Sequence, residues 1–135
     1  MTNEIIIDAT DAVLGRISTL SAKQALLGKK VVVINCEKAI MTGDRKMVIA
    51  KFEEKRARGG TAQKGPYHHK NPELIVKRAI RGMLPYDFER GASAFKRIKC
   101  YNGMPSEYSE AEKIIVARPI KSKFIYLSQL ISQLK

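Results

Sequence analysis

The chain has 135 residues, enough for one domain with a buried core, and 44% of them are hydrophobic, which argues against an intrinsically disordered protein. Its 25 Lys and Arg against 13 Asp and Glu give a net charge of +12, which favours a polyanionic partner. Residues 1–44 sum to zero, whereas residues 45–99 hold fifteen Lys and Arg against five Asp and Glu. A neutral first third beside a cationic middle predicts a scaffold that presents a nucleic-acid-binding surface.

The beginning of the chain and its apolar runs bear on cellular location. Residues 1–4 have neither the basic nor the apolar region of a secretory signal. No apolar run approaches the roughly 20 residues of a membrane span. We therefore expect a cytoplasmic protein that does not contact a membrane. Cys36 and Cys100 could form one disulfide, but buried free thiols in a reducing compartment are the favoured interpretation.

The first forty residues have the pattern of a βαβ unit. The β-branched run 5–7 predicts a buried strand, and Thr10 or Asp11 is expected to cap the helix that follows. Gly28 is well placed to end that helix. The continuous apolar run 31–34 is typical of a strand covered on both faces of a parallel sheet, joined by a right-handed crossover. The predicted apolar face of the helix is Val13, Ile17, Leu20 and Leu27.

Shorter patterns continue to the end of the chain. Asn71 and Pro72 provide a cap and a first residue for a third helix, in which Met83 and Leu84 are expected to pack inward. The other predicted elements are a strand at 39–41, helices at about 44–57, 87–96 and 123–134, a strand at 98–101 and a turn at 109–112. Together they predict a three-layer α/β/α fold with a small, mostly parallel sheet of about four strands in a single domain over residues 1–135.

Residues 57–70, which we call the basic loop, have neither a helical nor a strand period. Long irregular segments inside compact domains are often functional. Glycines let the backbone approach phosphates, and Tyr or His rings can stack on unpaired RNA bases. The alternative is a solvated connector. The candidate RNA-binding residues in and before the loop are Arg45, Lys46, Arg56, Arg58, Lys64, Tyr67, His68, His69 and Lys70.

A second group of cations runs from the third helix to the last predicted strand. A solvated helix face normally mixes in carboxylates, but none occurs between Lys77 and Arg81. We therefore predict that this group also binds RNA. Its candidate residues are Arg78, Arg81, Arg90, Lys96, Arg97 and Lys99.

Catalytic and metal sites find little support in the sequence. His68 and His69 lack a partner at a metal-binding spacing, and both the dinucleotide-binding and phosphate-loop glycine motifs are absent. Asp8, Asp11 and Asp44 could lie near strand ends, where α/β active sites form, but isolated aspartates more often form turns. We predict no catalytic residue, metal, cofactor or small-molecule substrate. A small nucleotide-using or RNA-modifying enzyme stays the alternative. A basic DNA-binding domain is a third hypothesis, but the sequence has neither helix-turn-helix nor zinc-finger spacing.

Several short motifs occur together in a characteristic order. They are Ile7-Asp8-Ala9, Leu14-Gly15-Arg16, Gly28-Lys29, Val32-Val33-Ile34-Asn35, Gly43-Asp44-Arg45, Gly82-Met83-Leu84-Pro85 and Ile98-Lys99-Cys100-Tyr101-Asn102-Gly103. Over about residues 4–105 the sequence resembles the universal ribosomal protein family numbered thirteen in the large subunit. The basic loop and the absence of tryptophan are more similar to its archaeal and eukaryotic branch. Cys36 stands where a small residue such as Ala is expected.

That resemblance implies an α/β/α fold and a structural role without catalysis. It also implies binding to large-subunit ribosomal RNA and to neighbouring ribosomal proteins in the cytoplasm. The resemblance further implies that the protein helps to fold this RNA during subunit assembly.

Overall fold

The computed structural model describes residues 4–57 and 71–133, and of Arg56 it describes only the backbone. In chain order the strands and helices are β1 Glu4–Asp8, α1 Leu14–Leu26, β2 Lys30–Ile34, β3 Ile40–Thr42, α2 Arg45–Ala57, α3 Pro72–Gly82, α4 Glu89–Lys96, β4 Ile98–Cys100, β5 Ile114–Ile115, β6 Phe124–Tyr126 and α5 Leu127–Gln133. Strands β4, β2, β1 and β5 form, in this order, a parallel sheet. The predicted α/β class with a small parallel sheet is confirmed.

The predicted βαβ unit forms the centre of this sheet. Strands β1 and β2 are parallel neighbours, with Ile6 opposite Val32, and α1 buries Ile17 completely. Gly28 ends the helix with a φ of +95°, a left-handed conformation that favours glycine. The predicted apolar face is wrong for Leu27, which is 65% exposed, because the helix has already ended one residue earlier.

Neither Thr10 nor Asp11 caps α1, contrary to expectation. The N-cap residue is Val13, which has an extended backbone and makes no side-chain cap. Asp11 is left-handed, with a φ of 57°, and accepts a hydrogen bond of 2.8 Å from the hydroxyl of Tyr126. Thr10 donates its hydroxyl to Asp8 at 2.7 Å. Thr10 therefore stabilises the turn before the helix, whereas Asp11 connects this turn to β6, and neither stabilises the helix itself.

The C-terminal segment does not form one helix over 123–134. Residues 124–126 form β6, which pairs antiparallel with β3 and places Met41 opposite Ile125. Because this pairing requires an extended backbone, α5 begins only at Leu127. The predicted third strand is confirmed as β3, although it belongs to this second, two-stranded sheet. The predicted helices at 44–57 and 87–96 and the strand at 98–101 are found within two residues of their expected bounds.

Strand β5 was not predicted. It lies at the edge of the parallel sheet, where Ile114 is opposite Ile7. It has only two residues and both are exposed, so it carries too short an apolar pattern to be recognised. The predicted turn at 109–112 follows directly after a short 3-10 helix at Ser106–Tyr108.

The two faces of the parallel sheet are covered differently. Helices α1, α3, α4 and α5 contribute side chains to one large core, whose strand residues include Ile7, Val31 and Val33. A smaller apolar cluster lies on the other face and is formed by Ile6, Val32 and Ile34 with Tyr101, Tyr108 and Ala111. The segment 101–111, with its 3-10 helix, therefore supplies the second outer layer.

Helix α3 begins after Asn71 with Pro72 as its first residue, as predicted. Asn71 occupies the N-cap position, but its side chain makes no capping hydrogen bond, contrary to expectation. Leu84 packs inward with 7% exposure, but Met83 is 46% exposed, so its predicted inward packing is wrong. The reason is that Met83 follows the last residue of the helix, where the chain turns away from the core. Its sulfur instead accepts a hydrogen bond of 3.5 Å from the hydroxyl of Thr19 on α1.

Both cysteines are free, as the favoured interpretation expected, although Cys100 is only partly buried. Cys36 is fully buried, and its thiol donates to the Val33 carbonyl oxygen at 3.7 Å. A hydrogen bond with Cys100, together with burial, raises the pKa of the Cys36 thiol. Cys36 therefore stays protonated and behaves as a small core residue.

Candidate nucleic-acid interface

Cations gather on three consecutive elements, α3, α4 and β4. The buried stripe of α3 consists of Ile75, Val76 and Ile80. Arg78 and Arg81 lie away from this stripe, as the helical spacing predicted, and Arg81 is exposed. Arg90 is exposed in the first turn of α4. The packing of the apolar stripe thus decides which way the arginines face.

A small cleft, which we call the helical cleft, opens beside α3. Its lining consists of Leu74, Lys77, Arg78, Arg81 and Phe95, and its volume is about 110 Å³. Small-molecule sites usually have roughly 300–1,000 Å³. The helical cleft therefore suits a phosphate group held by three cations better than a whole nucleotide.

Aromatic rings hold two of these cations in place. The ammonium nitrogen of Lys77 lies 5.1 Å from the ring centre of Phe95, and the guanidinium carbon of Arg81 lies 4.5 Å from that of Tyr86. The two rings meet edge to face, with centres 5.4 Å apart and planes at 84°. Such cation–ring contacts contribute about 0.5–1 kcal/mol each at exposed sites. These contacts restrict the side chains of Lys77 and Arg81 before a ligand binds, so less conformational entropy is lost on binding.

The turn at residues 85–88 is fixed against α4. A Cβ atom on Gly91 would overlap with the carbonyl of Pro85, so only glycine fits there. The backbone N–H of Phe88 donates to the Pro85 carbonyl at 3.0 Å, and the N–H of Ala92 donates to the Phe88 carbonyl at 3.0 Å. Tyr86 and the residues around it are therefore held on a rigid turn.

A second cleft, which we call the strand cleft, lies beside β4 and has a volume of about 280 Å³. Its lining consists of Glu4, Lys30, Val32, Lys96, Arg97, Lys99 and Tyr108. Burial raises the pKa of Tyr108, and Glu107 and Glu4 add to this effect. Because α4 ends at the strand cleft and also lines the helical cleft, one helix connects the two.

Lys30 was not among the predicted residues. It opens β2, and the next N–H along that strand, from Val31, donates to the Arg97 carbonyl at 3.0 Å. Lys30 therefore lies beside the predicted cations although it is distant from them in sequence. The strand register alone could have identified it.

Arg97 also has a role inside the fold. One of its guanidinium nitrogens donates to the carbonyl of Ala25 at 2.9 Å, in the last turn of α1. A cation at this end of a helix satisfies a free carbonyl and complements the helix dipole. Part of the hydrogen-bonding capacity of Arg97 is thus used within the chain.

Other predicted residues are not brought to these clefts. Arg45 and Lys46 are exposed in the first turn of α2, whose main contacts are with α5 and β6. Arg56 lies in the last turn of α2, and its side chain is not described. The basic-loop candidates lie outside the described residues, so their RNA contacts stay predictions; they are Arg58, Lys64, Tyr67, His68, His69 and Lys70.

The aspartates considered for catalysis have local structural roles. The carboxylates of Asp8, Asp11 and Asp44 each accept a hydrogen bond that stabilises a turn or connects neighbouring segments. Within residues 4–57 and 71–133, no three His, Cys, Asp or Glu side chains gather as they would to hold a metal ion. In the same ranges, no helix has the length and apolar character needed to cross a membrane.

Comparison with known proteins identifies the family. The sequence matches the family described as Ribosomal protein L13 over residues 2–107. The large ribosomal subunit protein uL13 of Archaeoglobus fulgidus is 46% identical over 111 residues, which cover 81% of this chain and 70% of that protein. The protein of the same name from Thermoplasma volcanium is 48% identical over 109 residues, or 81% and 79% of the two chains.

A third relative extends the similarity towards the C-terminus. The large ribosomal subunit protein uL13 of Natronomonas pharaonis is 35% identical over 128 residues, which cover 94% of this chain and 88% of that protein. The family expected from the motifs is confirmed, since the chain belongs to the ribosomal protein L13 family and is similar to its archaeal members.

Proposed function

We propose that this protein is a structural constituent of the large ribosomal subunit, which binds large-subunit ribosomal RNA and helps to fold it during assembly. The observation that carries this proposal is the 35–48% identity to archaeal proteins named large ribosomal subunit protein uL13. Its partners are that RNA and neighbouring proteins of the large subunit. It works in the cytoplasm as part of the ribosome.

The two clefts support a mechanism based on phosphate neutralisation. Each Lys or Arg that replaces a counterion at a phosphate releases that ion, which drives association. The planar guanidinium groups of Arg78 and Arg81 are suited to bridging two phosphate oxygens, whereas lysines act as point charges. The described candidates for these contacts are Lys30, Lys77, Arg78, Arg81, Arg90, Lys96, Arg97 and Lys99.

The rigid core would convert these contacts into RNA folding. Both clefts are attached to α4, and α4 packs on α1 and β4. The distance between the two sets of cations is therefore fixed before RNA binds. RNA strands that occupy both clefts at once are held in one relative arrangement, and other arrangements gain fewer contacts.

An enzyme on the same scaffold was the alternative hypothesis. The L13 family is a structural family, and the archaeal relatives of this chain are named as ribosomal subunit proteins. The proposed function accordingly includes no catalytic step.

Sedimentation tests the proposal. A tagged copy of the protein, expressed in an archaeal host, should sediment with large subunits in a sucrose gradient and leave them only at high salt. A matched variant with Lys77, Arg81, Lys96 and Lys99 replaced by Ala should sediment as free protein. It should still unfold cooperatively, with a melting temperature lowered only by the loss of the two cation–ring contacts. Wild-type protein that stays at the top of the gradient would contradict the ribosomal role.

A further inference from the structure

Phe88 is an aromatic side chain that the fold leaves in solvent. It is 71% exposed, at the N-cap of α4. Its neighbour Tyr86, by contrast, packs against Phe95 and carries the guanidinium of Arg81. Among the described residues, no ring packs against Phe88 in the same way. The described residues therefore leave this ring open to a partner.

The ring is held on a rigid backbone. The N–H and the carbonyl of Phe88 are both engaged, with Pro85 and Ala92 respectively, at 3.0 Å each. The close approach of Gly91 to Pro85 fixes the same turn against the helix. Little backbone freedom is left to lose when a partner packs on the ring. A rigid aromatic platform favours binding for this reason.

The charges around Phe88 indicate which part of an RNA it can meet. Asp87 and Glu89 flank it and are exposed, so a phosphate directly beside the ring would be repelled. Arg90 follows two residues later, and Arg81 lies over the ring of Tyr86. A strand whose phosphates contact these arginines would therefore meet Phe88 with a base in preference to a phosphate.

We propose that Phe88 is a stacking platform for one unpaired nucleobase of the bound RNA. The inference rests on the proposed function and adds the kind of RNA element that this surface selects. A paired base is stacked within its helix and keeps its face covered, whereas a bulged or looped base exposes a face that an aromatic ring can cover. Stacking of this kind does not require a particular base, because every base has a flat aromatic face.

The test compares two RNA hairpins of equal length and charge, one fully paired and one with a single bulged adenosine. Wild-type protein should bind the bulged hairpin more tightly, and Phe88→Ala should lose about tenfold in affinity for it, within the roughly 5- to 150-fold range of single stacking contacts. Affinity for the paired hairpin should stay within about twofold. A 2-aminopurine in the bulge should be quenched by wild-type protein and not by Phe88→Ala.

Three further variants control the measurement. Phe88→Trp should keep the preference, and Phe88→Leu should lose it because it is apolar without a flat ring. Phe124→Ala removes another exposed phenylalanine, 41% exposed and outside the clefts, and should change neither affinity. Arg81→Ala should weaken binding to both hairpins. The Phe88 variants should keep the melting temperature of the wild type, because the side chain is 71% exposed. Arg81→Ala and Phe124→Ala each remove a contact with a tyrosine ring and should lower it slightly without preventing folding.

Different failures have different meanings. If wild-type protein binds both hairpins equally and Phe88→Ala has no effect, the stacking proposal is overturned while the RNA-binding function stands. If Phe88→Ala binds RNA normally but is lost from purified subunits, the ring meets a protein neighbour and the stacking proposal is again wrong. If wild-type protein binds neither hairpin in a salt-dependent manner, the proposed function fails and this inference fails with it.

Discussion

Asp8 ends β1 with a carboxylate that is held by its neighbours. It accepts hydrogen bonds from the backbone N–H of Thr10 at 3.0 Å, from the Thr10 hydroxyl at 2.7 Å and from the Asn35 amide at 3.1 Å. Burial by itself would raise the pKa of Asp8, but these hydrogen bonds and the charge of Lys38 together hold the pKa below its ordinary value. The ionised form is therefore the one that stabilises the turn.

We expect Asp8→Asn to lower the free energy of unfolding by about 1 kcal/mol at neutral pH. This value is small because the Asp8 carboxylate is partly exposed and solvent screens its interactions. Because the folded-state pKa is the lower one, the contribution is complete above the ordinary Asp pKa of about 4 and is lost as the pH falls through the folded value. Urea unfolding of both proteins at neutral pH and at about pH 3 measures the difference. A difference that does not shrink in acid would contradict the role of the ionised carboxylate.

Met83 and Leu84 offer a direct test of which side chain belongs to the core. Leu84→Ala should cost about 2–5 kcal/mol of unfolding free energy because it leaves a cavity. Met83→Ala should cost less than about 1 kcal/mol, since Met83 is half-exposed and touches only the surface of α1. The denaturant midpoints of the two variants measure these losses of unfolding free energy. Equal losses would show that Met83 is also a core residue.

Sequence reasoning found most cations of the clefts but not their surroundings. Arg78 and Arg81 were predicted because helical spacing places them on one face. Lys30 was missed because only the pairing of β2 with β4 brings it to Lys99 and its neighbours. The bond from Arg97 to α1 was missed for the same reason, since it joins segments that are distant in sequence.

Elements differ in how well their own residues specify them. The unit β1, α1, β2 was predicted because each element has a long run or a repeated apolar spacing of its own. Strand β6 was assigned to a helix because Phe124, Leu127 and Ile131 also fit a helical spacing, and only its partner β3 decides otherwise. Strand β5 has two residues and depends on β1 in the same way. Elements defined by a partner are not visible in a local pattern.

The sheet itself gives a prediction with an internal control. Val33 lies in β2 between β1 and β4 and is fully buried, so Val33→Asp would place an unpaired carboxylate in the core and should prevent folding. Ile115→Asp makes the same kind of change at the edge strand β5, where the side chain is 73% exposed, and should be tolerated. Circular dichroism and thermal unfolding of the two proteins provide the comparison. A cooperatively folded Val33→Asp protein would show that β2 is not part of the core.

The whole molecule carries a net charge of +12, and its affinity for RNA should depend strongly on salt. With about six to ten phosphate contacts, affinity should fall by roughly three to five decades between about 50 and 200 mM salt. Lys99→Ala should reduce the slope of log affinity against log salt by about one. Lys113→Ala is the control, because its ammonium group already donates to two carbonyls of its own chain, each at 3.1 Å. A flat salt dependence would contradict binding through phosphates.

The pairing of Ile7 with Ile114 joins the beginning of the sheet to a strand near the end of the chain. Because strands so far apart share one sheet, we propose that the chain folds as a single domain. The pairing of β1 with β5 also determines when a newly synthesised chain can finish folding. Until β5 has been synthesised, the edge of β1 at Ile7 and Asp8 has no partner strand, and such an edge can recruit a strand from another chain. Incomplete copies that end before β5 should therefore be more prone to aggregate than the finished protein.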